Sequence, residues 1–205
     1  MLFKHFIFSL LFVNLLNIPV YSQENLLPDN DFETTELNKK SNLPARWGFW
    51  ANDDGKNSSV YGIDTGISHS GKCSMFIKRT EKKGIARVVA PLVKVKAGDR
   101  LRISGYIKIT NGTAKYIVFF KDKNRKTVSG DAMDPFTSSP GASTASWGLR
   151  YVDPDAGKSE KFNRADLFVT VPENAEYVSV SYELSNTIGK AWFDDLGIMV
   201  LSSTK

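Results

Sequence analysis

Asp194 and Asp195 stand side by side in Gly189-Lys190-Ala191-Trp192-Phe193-Asp194-Asp195-Leu196-Gly197-Ile198-Met199-Val200-Leu201. Aromatic and branched residues fill this stretch, which predicts a strand. Side chains alternate across a strand, so in any register one of the two carboxylates faces the core. A buried carboxylate is costly unless it is paired, hydrogen-bonded or bound to a metal. Two solutions are open. A hard cation such as calcium can gather oxygen ligands from several segments, or the inward carboxylate can cap a turn through backbone N–H groups.

Catalysis has little to work with. His69 is the only histidine after residue 22, and it lies in the turn Ser68-His69-Ser70-Gly71. No Gly-x-Ser-x-Gly elbow supplies a nucleophile for a Ser-His-Asp hydrolase. A His-rich zinc site is beyond the chain's histidine and cysteine content. Asp194 and Asp195, as neighbours on a strand, are expected on opposite faces and so do not form a glycosidase pair. The chain is therefore expected not to be an enzyme.

Glycan binding asks less: flat aromatic faces with polar side chains around them. Trp47 and Trp50 lie at an odd spacing in Arg46-Trp47-Gly48-Phe49-Trp50, so at most one of them faces a cleft and the other goes inward. Trp50, Trp147 and Tyr151 are the candidate sugar platform, with Tyr61 helping to complete the cleft; core packing is the competing role for the tryptophans, and lying flat on the surface that for the two tyrosines. The outward set Arg102, Tyr106, Lys108, Ser179, Ser181 and Glu183 either lines a concave face or is simply solvated.

The chain has 205 residues and a net charge of +5. Lys4, then the largely apolar run Phe6 to Leu16, then Val20-Tyr21-Ser22 read as a secretory signal peptide over residues 1–22, cut ahead of Gln23. That apolar run is short for a membrane span. Residues 23–205 then form one domain of 183 residues with net charge +4, destined for secretion, the periplasm or the cell surface. The mild excess suits acidic polymers such as uronate-containing glycans, or reflects ordinary surface solvation. Cys73 is the only cysteine, so no internal disulfide is possible, and its apolar neighbourhood suits a buried small hydrophobe. No nucleic-acid partner and no membrane span are expected, and the chain is expected to be monomeric.

The elements that must position these residues are short strands between turn signals. They are expected near Val60–Ile63, Cys73–Arg79, Ile85–Val95, Arg100–Ile109, Ala114–Lys121, Ala165–Val171, Tyr177–Leu184 and Lys190–Leu201. Leu101, Ile103, Ile107 and Ile109 alternate with polar neighbours, as do Val178, Val180, Tyr182 and Leu184. Thr34 to Asn57 and Asn124 to Lys161 do not read as strand and are expected to be ordered, ligand-facing loops. The result is an all-β sandwich.

Five segments carry a resemblance in one order along the chain. They are Asn25-Leu26-Leu27-Pro28-Asp29-Asn30-Asp31-Phe32-Glu33, Ser70-Gly71-Lys72-Cys73-Ser74, Ala97 to Lys108, Phe168-Val169-Thr170-Val171-Pro172-Glu173-Asn174-Ala175, and the closing Trp192-Phe193-Asp194-Asp195-Leu196. Together they resemble the carbohydrate-binding-module jelly rolls of families four, nine, sixteen and twenty-two, which are galactose-binding-like β-sandwiches of two antiparallel sheets. Leu101 stands where those modules often have Tyr. The resemblance implies a non-catalytic polysaccharide- or oligosaccharide-binding domain with a structural calcium. It implies as ligands Glu33, Asp194 with Asp195 in reserve, and carbonyls near Asp31 and His69. Those modules often place a carboxylate before the Ser-Gly turn, where this chain offers only Asp64. A structural or adhesion domain of the same fold is the second expectation, and a small glycan-active hydrolase or lyase the third.

Overall fold

The computed structural model describes residues 24–34, 36–128, 142–145, 148–152 and 161–203, with backbone alone over 142–145 and 148–152. The expected signal peptide, Met1–Ser22, and Trp147 lie outside the described residues.

The strands are β1 (Gly48–Ala51), β2 (Ser59–Asp64), β3 (Ser74–Arg79), β4 (Ile85–Val89), β5 (Val93–Lys94), β6 (Arg100–Ile109), β7 (Thr113–Lys121), β8 (Thr127–Val128), β9 (Ala142–Ala145), β10 (Gly148–Val152), β11 (Asn163–Thr170), β12 (Tyr177–Ser185) and β13 (Gly189–Ser202), with one short helix, α1 (Asp53–Lys56). They form two antiparallel sheets. The larger runs β1-β4-β12-β7-β10-β9, with β5 on β12 and β8 on β7; the smaller runs β11-β6-β13-β3-β2. This is the expected all-β sandwich.

The core lies between the sheets. Leu101, Ile103, Ile107 and Ile109 of β6 face Val178, Val180, Tyr182 and Leu184 of β12, and all are buried. The alternation in sequence thus becomes alternation of faces. Trp47 is 3% exposed. It packs edge-on against Phe32 and stacked on Tyr182, and its indole N–H donates to the Pro28 carbonyl, closing the N-terminal segment over the core.

Three expectations are corrected. The span Ile85–Val95 is two strands, because Ala90-Pro91-Leu92 interrupts it and proline offers no N–H to a ladder. Thr34 to Asn57 is not all loop: it contains β1 and α1, the latter capped by Asn52, whose side chain accepts from Gly55 N–H. Asn124 to Lys161 contains β8, β9 and β10. These strands are too short for alternation to reveal them against a Gly-, Ser- and Asn-rich background.

Candidate functional site

β13 carries a bulge where Asp194 and Asp195 sit. Asp194 pairs with Tyr106, the register then shifts before Gly197, and Asp195 has φ +47°. The extra residue breaks the alternation. Both carboxylates consequently reach the same turn, and the expectation of opposite faces is overturned. Asp194 is fully buried. Its Oδ2 accepts the backbone N–H groups of His69 at 2.6 Å and Ser70 at 3.2 Å, and its Oδ1 accepts that of Asp195 at 2.8 Å. Burial pushes its carboxyl up to about 6 despite these donors. Asp195 takes the side chains of the same residues: His69 Nδ1 at 2.6 Å and Ser70 Oγ at 2.7 Å.

Glu33 meets this turn from the N-terminal segment. Its Oε1 accepts the N–H groups of Lys72 and Cys73, each at 2.7 Å. A Cβ at Gly71 would fall 2.4 Å from that oxygen, and the Gly71 φ is +57°, so both the close approach and the backbone require glycine. Half-buried Cys73 lies within the field of both Glu33 and Asp194, and burial together with those two charges raises its thiol pKa.

The donor set bears on a cation directly. Glu33 and Asp194 converge on one turn and are hard oxygen donors of the kind calcium takes. Asp195 and the His69 ring are engaged with each other, and Asp31 is exposed, its Oδ1 capping Glu33 N–H. Asp64 is committed elsewhere, to Lys190 Nζ at 2.7 Å and Trp192 Nε1 at 2.8 Å. Among the described residues no group of three or more His, Cys, Asp or Glu side chains is arranged to hold a metal. Any ion here would rest on Glu33, Asp194 and backbone oxygens.

A second constellation crosses the outward face of the larger sheet. One row of paired positions runs from Trp50 of β1 to Arg87 of β4, Glu183 of β12 and Lys115 of β7. Trp50 is 47% exposed, and the Arg87 guanidinium carbon lies 4.9 Å from its ring centroid. Arg87 Nε donates to Glu183 at 2.5 Å, and Lys115 Nζ bridges Glu183 and Ser185. Burial of Glu183 opposes its ionisation, but the charges of Arg87 and Lys115 outweigh this and hold its carboxyl below the ordinary range. Ser179 and Ser181 follow in the adjacent rows of β12 and are buried. Next to Trp50 on the same face, Gly48 has no atom within 4 Å of where a Cβ would stand, so the ring borders open space.

The structure separates residues that sequence placed together. Tyr106 and Glu183 belong to different sheets, so Arg102, Tyr106 and Lys108 do not share a face with Ser179, Ser181 and Glu183. Tyr61 is not a cleft wall: it stacks on Phe49 with centroids 3.7 Å apart and packs against the core. Tyr151 pairs with Tyr116 of β7, four strands along the sheet from Trp50, and its side chain lies outside the described residues. Arg87 and Lys115 were missed. The signal for Arg87 was its place as the lone charge in Ile85-Ala86-Arg87-Val88-Val89.

No protein-family profile matches the sequence, and a search of curated proteins finds no match. Solved structures do match. The tailspike protein 4 enzymatically active domain of bacteriophage CBA120 aligns with TM-score 0.64 at 12% identity, over 86% of this chain but only 21% of the tailspike chain. This chain thus spans about a fifth of that protein's length. A family-4 carbohydrate-binding module aligns with TM-score 0.54 at 15% identity, covering 85% of this chain and 99% of the module. The first family-22 xylan-binding domain of Paenibacillus barcinonensis Xyn10C aligns with TM-score 0.51 at 16% identity, over 89% and 97%. The fold is that of the carbohydrate-binding-module β-sandwich.

Proposed function

We propose that this protein is an exported, non-catalytic domain that binds a polysaccharide along the Trp50 edge of its larger sheet. One observation carries the reading: Trp50 presents a flat aromatic surface on a rigid strand, beside open space at Gly48. Arg87 supplies hydrogen-bond donors next to it, Lys115 stands two strands further along the same row, and Glu183 fixes both. Fixed donors around an aromatic plate suit a sugar ring, which has C–H faces and an equatorial rim of hydroxyls. Carbohydrate-binding modules are also the class of protein that shares the fold.

A glycan array probed with the mature protein tests this reading, followed by affinity electrophoresis in gels containing the soluble polysaccharides that respond. Binding to at least one polysaccharide is expected. A blank array with well-folded protein favours the second reading, a structural or adhesion domain. That reading has its own support, since among the described residues Trp50 is the only large aromatic side chain that is exposed.

Export and metal belong to the same proposal. The mature N-terminus is expected at or near Gln23, by mass spectrometry of secreted material; intact Met1 in a membrane fraction would make the apolar segment an anchor. Among the described residues no helix is long and apolar enough to cross a membrane. Calcium is the proposed stabilising ion, held by Glu33, Asp194 and neighbouring carbonyl oxygens, where it would neutralise two carboxylates that share one turn.

A further inference from the structure

The outward face of the smaller sheet turns away from Trp50, and a groove of about 500 Å³ opens on it, lined by residues that include Ser68, His69, Lys108 and Phe162. Clefts that take small molecules usually fall between about 300 and 1,000 Å³. The charged groups of this face are largely committed. Asp195 is engaged by His69, Asp166 by Arg102 and Arg164, and Asp64 by Lys190. Lys161 also lines the groove and is engaged as well. Lys108 alone of the lining cations makes no ion pair among the described residues, and its ammonium stands 5.8 Å from the Trp192 ring centroid.

Two rings fix the wall of the groove. His69 stacks on Tyr106 with centroids 3.4 Å apart and an interplanar angle of 14°, and Phe162 stands edge-on to His69 at 5.8 Å. Asp195 accepts from His69 Nδ1 at 2.6 Å, so the neutral imidazole carries its proton there. Nε2 is then an acceptor, and it has no hydrogen-bond partner among the described residues. The Ser68 hydroxyl donates to the Gly71 carbonyl, which leaves its own lone pairs open. The groove thus combines a half-buried apolar ring, fixed acceptors and one ammonium donor.

We infer that this groove is a second saccharide subsite, for a neutral sugar, so that the domain holds glycan on both of its outer faces. The ligand class rests on the carbohydrate-binding reading above, whereas the position of the subsite rests on the groove residues alone. A hydroxyl both gives and takes hydrogen bonds, so one kind of group serves the acceptor His69 Nε2 and the donor Lys108 alike. A ring C–H face packs on Phe162. A carboxylate would use Lys108 but would set its oxygens against the Nε2 lone pair, acceptor against acceptor. A purely apolar ligand would leave both polar groups unsatisfied.

The test is an array of neutral and uronate oligosaccharides probed with wild type and Trp50→Ala, followed by isothermal titration calorimetry with the neutral oligosaccharide that Trp50→Ala binds best. Trp50→Ala is expected to retain binding to at least one neutral glycan. Adding Phe162→Ala or Lys108→Met to it should lower that affinity about fivefold or more, as for loss of one apolar wall or one charge-assisted hydrogen bond. Melting curves should stay at that of Trp50→Ala. Added salt should leave the affinity unchanged, because no ion pair forms with the sugar. Unchanged affinity in both groove variants would overturn the inference. A blank array for Trp50→Ala beside a binding wild type would also overturn it and leave the Trp50 edge standing. A blank for both proteins would remove the two sites together. A Trp50→Ala signal confined to uronates would overturn the neutral assignment.

Discussion

Asp194 Oδ2 accepts the backbone N–H of His69 at 2.6 Å, tying the last strand to the turn before β3 across 125 positions of sequence. Two further N–H groups, of Ser70 and Asp195, depend on the same carboxylate. Asp194→Ala leaves these donors without their acceptor and should cost at least about 2 kcal/mol in urea denaturation. With calcium bound at Glu33 and Asp194, a chelator should also lower the wild-type melting temperature, because an ion held only by the native state stabilises it by mass action. Glu33→Gln should then lose that sensitivity. A melting curve unmoved by prolonged chelation would remove the ion and leave Asp194 as a turn cap alone.

Trp50 and Arg87 should separate binding from stability. Trp50→Ala removes an exposed ring, so melting should barely change, while retardation by the bound polysaccharide falls by about five- to tenfold in affinity. Arg87→Ala should behave differently. Glu183 is 2% exposed and would keep Lys115 as its one counter-charge among the described residues, so a loss of about 3 kcal/mol is expected in chemical denaturation. Equal melting of the two variants would show that the ion-pair row contributes little to the fold.

Much of this was legible in the sequence, for identifiable reasons. Alternation in β6 and β12 fixed which side chains are core, and both ends of the chain carried the segments that meet at the Ser70-Gly71 turn. Alternation assigns a face but not a sheet, so Tyr106 and Glu183 could not be told apart in this respect. The bulge at Asp195 was illegible too. Its left-handed backbone occurs at a residue that is not glycine, and it is held by His69 and Ser70 on the Asp195 carboxylate and by the Leu196 N–H bond to the Asn30 carbonyl, long-range contacts that no local pattern encodes. Asp64, weighed as a distant metal ligand, is an anchor for Lys190 and Trp192 of the middle strand of the same sheet.

Asp64 supplies a pH dependence. Burial alone would raise its pKa, but hydrogen bonds from Lys190, Trp192 and Gly66 N–H bring it down from 3.8 to about 2. A carboxyl depressed in the folded state stabilises above its unfolded pKa and loses that contribution as pH falls through the folded value. Stability should thus drop by about 1–2 kcal/mol between pH 4 and pH 2 through this group. Asp64→Asn should flatten that part of the acid titration, followed by tryptophan fluorescence. An identical acid slope in the variant would assign it to other carboxyls.

Tyr182 offers a substitution expected to do no harm. Its ring packs among Trp47, Tyr116 and Phe193, but its hydroxyl is buried with no hydrogen-bond partner among the described residues. Burial raises its pKa far above the ordinary phenol range. Tyr182→Phe removes an unsatisfied polar atom and keeps the ring, so stability should be unchanged or higher by about 1 kcal/mol in urea denaturation. A clear loss would reveal a bond made by that hydroxyl.

β13 is the last of the described strands and also the middle of the smaller sheet, seated between β6 and β3 and bonded through Ile198 and Leu196 to Asn25 and Leu26. On the ribosome, β3 and β6 therefore wait with open edges until the 14 residues of β13 emerge. Closure depends on contacts that span nearly the whole sequence, which makes folding slow and late. A chain stopped short within β13 would yield no partial domain, only exposed strand edges prone to aggregate. Translation must pass β13 before the smaller sheet can close.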